Sequence, residues 1–532
     1  MKKNRTLYTI LVISAFLSSC YKDTSTLAEH LIEPVLVDTT GVKEDVFIGY
    51  QEVLSLSPKI KYSSPQSLSY EWTLSEKVKT EKKVEMKSIG DQLELNYPVE
   101  RPIMNAPYLL RLTVTDKEHS NLQYFFTWNV YVQSVYITGL VIADTKDGIT
   151  SNLTYVKNKD FSINYDKKEE VILRDILSAD SVRINGLVSS LNYTCLGRFW
   201  RPHVSQLWIT TTDGKVVRYN TSNFTVNGHS DLSDLILYKP EGFKFNFLYK
   251  GGGSFFANTT HGNYSLPSET VNAFSTPDPI MGKAKFNNQI VATDAHSANH
   301  LNNLVWLEES TGAFTAHTRT GSLAFELATF NKTDIFDPNS LDGKIALAGE
   351  IFYNRKTVNF LLKDKVTGEY GIYQLDQGKA NPYTIGSAKG LFKIPISFKN
   401  KMDAAVSYFF SKTENILYVI TETAVYTITF GLGNEAVVNT TPIYTSTTNE
   451  RIRKAKLFVQ GQYAARTDEV EDKIVPLLPY NLNALILMSE KGENQGVVRV
   501  IPFINNGSNI DIGYIHVYDG LGKILDVISI GI

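Results

Sequence analysis

From residue 44 onward, apolar and aromatic positions alternate with polar ones in short runs broken by turn residues. This period-2 pattern is that of half-buried strands. Residues 69–74 place Tyr70, Trp72 and Leu74 on one face; 93–97 alternate again, and 108–116 and 125–132 are longer runs of the same kind. Runs at this spacing predict a β-sandwich over 44–134, with Trp72 filling its middle. Past residue 135 one unit keeps returning, an apolar strand, a polar turn and a second strand. Runs 140–144 and 153–156 flank Asp147-Gly148, 207–210 and 216–219 flank Asp213-Gly214, and 254–257 and 264–266 flank His261-Gly262. Further on, 304–307 and 314–316 flank Thr311-Gly312, 360–362 and 370–373 flank Thr367-Gly368, 416–420 and 425–428 flank Glu422-Thr423, and 485–488 and 497–500 flank Lys491-Gly492. A hairpin recurring about every 45 to 70 residues is the mark of blade repeats. One such sheet cannot bury both faces alone, and stacking in a ring does so while leaving few open edges. The pattern therefore predicts an all-β chain in which 135–532 form a β-propeller of seven blades, six or eight being the neighbouring counts. Two or more packed sandwiches are the alternative. The last hairpin, around Asp519-Gly520, comes early for the period and is expected to complete the first blade. Residues 167–177 are the best short helix candidate and are expected to lie in a loop.

The first nineteen residues break this pattern. A positive start (Lys2, Lys3, Arg5), an apolar run over 7–16 and a small-residue end over 17–20 describe an export signal too short to span a bilayer comfortably. Leu17-Ser18-Ser19-Cys20 resembles a bacterial lipobox, in which the cysteine thiol is acylated and becomes the new N-terminus. The other reading makes Cys20 an ordinary residue near a conventional cleavage site. Residues 20–43 then read as the lipidated Cys20 and a flexible polar tether. With Cys20 carrying lipid, Cys195 is the one other cysteine of the chain, so the mature protein has no internal disulfide. Twenty-nine Tyr and 27 Phe, with recurrent Thr, Val and Ile, suit β-structure. A formal net charge of −2 gives no electrostatic reason to expect nucleic acid as a partner.

Tyr70 and Trp72, followed by Tyr108 and by Val114-Thr115-Asp116, are similar to the polycystic-kidney-disease-type (PKD-like) immunoglobulin fold. Lipobox, tether, PKD-like sandwich and repeat-rich β domain in that order resemble the PKD-like family lipoproteins of Bacteroidota. That resemblance implies a lipid-anchored binding or scaffold lipoprotein of the outer membrane, at the cell surface or facing the periplasm. It would be accessory to nutrient uptake, working beside a TonB-dependent transporter or a partner surface lipoprotein, with a glycan or peptide as ligand. The alternatives are a propeller-type hydrolase or lyase acting in the central funnel, and a permanent structural subunit of a transporter complex.

For chemistry, Gly-x-Ser-x-Gly, His-Glu-x-x-His and phosphate-binding glycine patterns are all absent from the sequence. No catalytic residue and no cofactor is therefore assigned. Asp294, His296 and His300 are the tightest acid–histidine grouping and weak zinc candidates; a solvated loop is the commoner meaning of such spacing. Tyr193, Phe199, Trp200, Arg201 and His203 form the most ligand-like cluster, aromatics beside cations that suit stacking on a sugar or peptide. Packing between blades is the commoner role of such aromatics. Asp144 and Asp147-Gly148 read as turn chemistry rather than a calcium loop, and Glu308-Glu309 as solvated surface.

Overall fold

The computed structural model describes residues 34–38, 43–50, 52–77, 85–102, 106–134, 136, 138–163, 165, 168–177, 184–195, 205–226, 231–236, 238–251, 254–267, 278–279, 289, 291–292, 304–320, 324–352, 357–376, 379–380, 383–384, 386–461 and 478–531. The chain is all-β. Among the described residues the one α-helix is the five-residue Lys399–Asp403, with a few single 3₁₀ turns beside it. None of the described helices is long and apolar enough to cross a membrane. Strand Val171–Leu173 occupies part of the stretch where a helix is the best local expectation; its pairing with Thr150–Lys157 overrides local propensity.

The chain divides into two compact units, one reaching Tyr131 and the other running from Val132, with 101–105 grouped in the second. The first unit is built on a five-stranded sheet in which the four strands from Leu122–Gln133 to Met86–Gly90 pair antiparallel. Its order is Asp45–Gly49, Leu122–Gln133, Tyr108–Asp116, Leu68–Ser75, Met86–Gly90. Val53–Leu56 pairs with Leu95–Pro98. Trp72 and Trp128 meet in the core at 5.4 Å between ring centroids, packed beside Leu74, Leu110 and Val130, all buried. The indole of Trp72 donates to the Gln92 carbonyl at 2.9 Å, so its one polar atom is satisfied in the interior. Tyr70 is only half-buried. Within the stretch expected to be a tether, Leu36–Asp38 pairs with Lys59–Lys61 and Val35 is buried.

Among the described residues the second unit contains, besides a separate two-stranded ribbon of Lys379–Ala380 and Tyr383–Thr384, seven antiparallel sheets of three to five strands in chain order. Each is built around one of the hairpins seen in the sequence, for example Leu304–Glu308 with Ala313–Thr320 and Ile416–Thr421 with Ala424–Thr429. The turn glycines take left-handed φ, as at Gly214 (+86°) and Gly312 (+62°), which a side chain resists. The first strand of several of these hairpins is buried along its whole length, as in Ser205–Thr211 and Ile416–Thr421. Such continuous burial means both faces are covered by neighbouring sheets. Apolar clusters join the first sheet to the second, the second to the third, the fourth to the fifth, the fifth to the sixth and the sixth to the seventh. A further cluster joins the seventh to the first through Phe161, Phe458, Tyr480 and Tyr518.

The final hairpin is divided between two sheets. His516–Leu521 pairs with Gly496–Ile504 in the seventh, whereas Lys523–Ile530 pairs with Gly139–Thr145 in the first. The C-terminal strand thus becomes the leading edge of the first sheet. The leading edge strands of six sheets share one irregularity: a single residue near the start is skipped in the pairing. The skipped residues are Leu525, Ser189, Asn246, Leu347, Val406 and Arg453. Such a bulge adds local twist and re-aims the side chains that follow. Its recurrence makes Asp526, Ser190, Phe247, Ala348, Ser407 and Lys454 equivalent positions in an internal repeat.

Candidate functional site

Of the residues singled out in the sequence, Tyr193 is the one the structure describes in its ligand-like cluster. It lies on Val188–Cys195 opposite Leu207, buried in the packing between the first and second sheets. Phe199, Trp200, Arg201, His203, Asp294, His296, His300 and Cys20 fall outside the described residues. Asp147 caps its own turn, accepting from the amides of Ile149 and Thr150 and from the Thr150 hydroxyl at 2.6–2.8 Å. Glu308 is buried rather than solvated, and accepts from Ser310 at 2.6 Å.

At the leading edges, Asp526 draws three sheets together. Its Oδ1 accepts from Lys454 at 2.9 Å and Lys456 at 2.8 Å, both on the leading strand of the seventh sheet. Its Oδ2 accepts the Leu191 amide of the second sheet at 2.9 Å. The carboxylate is 3% exposed. Burial pushes its pKa up, but Lys456, Lys454 and the Leu191 amide outweigh burial and hold it down at about 2. Asp526 is therefore an ionised clasp at neutral pH and a poor proton acceptor. Lys454 and Lys456 keep contact with water and leave this corner with one surplus positive charge. Both had a signal in the sequence: Arg451–Leu457 alternates cations with apolar residues, and Asp526 is a lone acid inside an apolar strand.

A cavity of ≈ 260 Å³ opens on the fifth sheet, walled by Lys344, Tyr370, Tyr373, Leu391, Lys393 and Glu435 among others. Strand Ala388–Lys393 brings Lys393 to its rim, and the parallel bridge between Lys393 and Glu435 brings the acid beside it. Lys344 donates to Asp364 at 2.9 Å. The Thr367 amide, Lys344 and the Val366 amide hold Asp364 well below the usual carboxylate range. The Tyr370 hydroxyl donates to Asp403 at 2.6 Å, and burial, then Asp403, pushes this phenol above its ordinary value. Asp403 also accepts from Lys399 and Lys363, which hold it well below the ordinary range. Asp364 and Asp403 thus stay ionised and Tyr370 protonated around neutral pH, so they fix charge and hydrogen-bond direction rather than move protons. Nothing in the sequence marks this cavity, because its residues are brought together from four strands and a helix. Among the described residues no group of three or more His, Cys, Asp or Glu is arranged to hold a metal ion.

No family model matches the chain, and no curated protein matches it. Among solved structures, the extracellular domain of BT4673 from B. thetaiotaomicron is similar at 12% identity and a TM-score of 0.30, over 84% of this chain and 70% of that one. Sqt1 of Saccharomyces cerevisiae is similar at 10% identity and a TM-score of 0.28, over 74% of this chain and 95% of that one. Similarity at these scores identifies neither a shared fold nor a function.

Proposed function

We propose that this protein is an extracytoplasmic binding or scaffold lipoprotein of the outer membrane, held by acyl chains on Cys20. In this reading the first unit is a PKD-like spacer and the second a seven-bladed β-propeller that presents ligand sites. The propeller reading is supported by the repeated edge bulge and by the C-terminal strand entering the first sheet, the usual way to leave such a ring few open edges. The observation that carries binding is the fifth-sheet cavity. It combines tyrosine surfaces with fixed charges of both signs, which suits recognition of a polar ligand such as a glycan or peptide fragment. The protein serves nutrient capture beside a TonB-dependent transporter or a partner surface lipoprotein.

The test is titration calorimetry of the mature chain against oligosaccharide and peptide panels, repeated with Tyr373→Ala and Lys393→Ala. Binding at micromolar to millimolar affinity, weakened by both variants with the ligand recovered unaltered, supports the proposal. Binding indifferent to both substitutions, or turnover of the ligand, contradicts it.

A further inference from the structure

On the second sheet one row of side chains faces the third. Asn192, Trp208 and Arg218 are cross-strand partners on three adjacent strands. Trp208 packs with Val216 against Phe243, Phe245 and Tyr264, which fixes the face this row presents. The Arg218 guanidinium sits over the Trp208 ring, 5.5 Å from its centroid. Gln206 accepts the Trp208 indole proton at 3.1 Å, so the ring is held in place.

Arg218 is only 6% exposed, yet among the described residues its Nη2 has no hydrogen-bond partner and no acid is paired with it. One step along the same face the buried Thr210 hydroxyl is also without a partner. Stacking on an indole offsets part of the desolvation of a guanidinium, but it leaves the in-plane N–H donors unused. A buried cation without a counter-charge is costly and is kept where something compensates it. The planar fork of arginine matches a carboxylate with two parallel N–H···O bonds, and a threonine hydroxyl beside it supplies a further donor.

We infer that Arg218 and Thr210 form a carboxylate-binding subsite on the face that the second sheet turns toward the third. The occupant carries a carboxylate that enters edge-on to the guanidinium while the Trp208 face holds the fork in orientation. The ligand class is an organic acid or a sugar acid. This inference rests on reading the protein as a binding module but uses residues of a different sheet, so Tyr373→Ala leaves it untouched and each can fail without the other.

The test is titration of the full mature chain with acetate and with glucuronate, with glucose as the neutral control. Saturable binding of either acid, absent with glucose and weakened at least tenfold in both Arg218→Gln and Arg218→Lys, supports the subsite. Binding of glucuronate alone assigns it to sugar acids; binding of both assigns it to small carboxylates generally. Without ligand, Arg218→Gln is expected to be at least as stable as the parent, because it removes an uncompensated charge. Thr210→Val, which leaves the charge in place, is expected to weaken binding severalfold. Affinity unchanged in Thr210→Val, equal binding by parent and arginine variants, or no binding of either acid would overturn the inference.

Discussion

Replacing Asp526 with alanine tests the clasp at the leading edges. The substitution orphans the buried Leu191 amide, which costs about 1–2 kcal/mol. It also removes two ion pairs to lysines that still reach water, about 0.5 kcal/mol each after solvent screening. The expected loss is about 2–3 kcal/mol, at the lower end of what breaking a buried pair costs, because Lys454 and Lys456 can rehydrate. Urea unfolding followed by fluorescence and near-ultraviolet dichroism would read this as a midpoint lowered by roughly 0.7–1 M, for a slope on the order of 3 kcal/mol per molar. The folded pKa of Asp526 lies below its ordinary value, at about 2. Its contribution is therefore complete above about pH 4 and fades as pH falls toward 2, so parent and variant should converge in acid. The triple variant Asp526→Leu, Lys454→Met, Lys456→Met should recover only the ion-pair share, about 1 kcal/mol, because the Leu191 amide stays without an acceptor. An unmoved midpoint for Asp526→Ala, or a difference that persists at pH 2, would refute the reasoning.

In the first unit, Asp116 accepts from Tyr62 at 2.5 Å, from His119 at 2.6 Å and from the Glu118 amide at 3.0 Å. The Tyr62 hydroxyl bond leads in lowering the Asp116 carboxyl to about 2. Asp116→Asn should therefore destabilise this unit at pH 7 and lose its effect between about pH 4 and pH 2, as followed by near-ultraviolet dichroism. Asp144 behaves oppositely: it is buried, its Oδ1 has no partner and burial raises its pKa, while Oδ2 accepts the Gly522 amide at 2.6 Å. A raised carboxyl stabilises fully only below its unfolded pKa and loses that contribution as pH rises. Asp144→Asn should thus match the parent near pH 4 and exceed it at pH 8 in thermal unfolding. Trp72→Ala should cost about 3–5 kcal/mol by emptying the core of the first unit, measured by urea unfolding. Cys20→Ala should move the protein from the membrane to the soluble fraction on fractionation; unchanged membrane retention would contradict acylation.

The strand content and the seven hairpins were legible because six of the seven couple an apolar strand to a glycine turn, as at Asp213-Gly214 and Thr367-Gly368. The destination of the C-terminal strand was legible in part. The early arrival of the last hairpin pointed to the first sheet, but its division between two sheets is set by pairing with Gly139–Thr145, which no local pattern encodes. The edge bulges were invisible for the same reason: a skipped residue is a property of two strands, and Ser189, Leu347 and Arg453 share no chemistry. Asp526 and the lysines carried a signal that reading for catalytic motifs passed over. In the sequence Arg218 reads as an ordinary strand residue; its burial and its place over the Trp208 ring come from the pairing of two strands.

Hydrogen–deuterium exchange of the segments Gly139–Thr145 and Lys523–Ile530 tests the central claim most directly, since their pairing is what returns the end of the second unit to its beginning. Both are expected to exchange slowly and to open together with the rest of that unit, at the global unfolding free energy. Rapid exchange of Lys523–Ile530 while Gly139–Thr145 and the other sheets stay protected would contradict the claim.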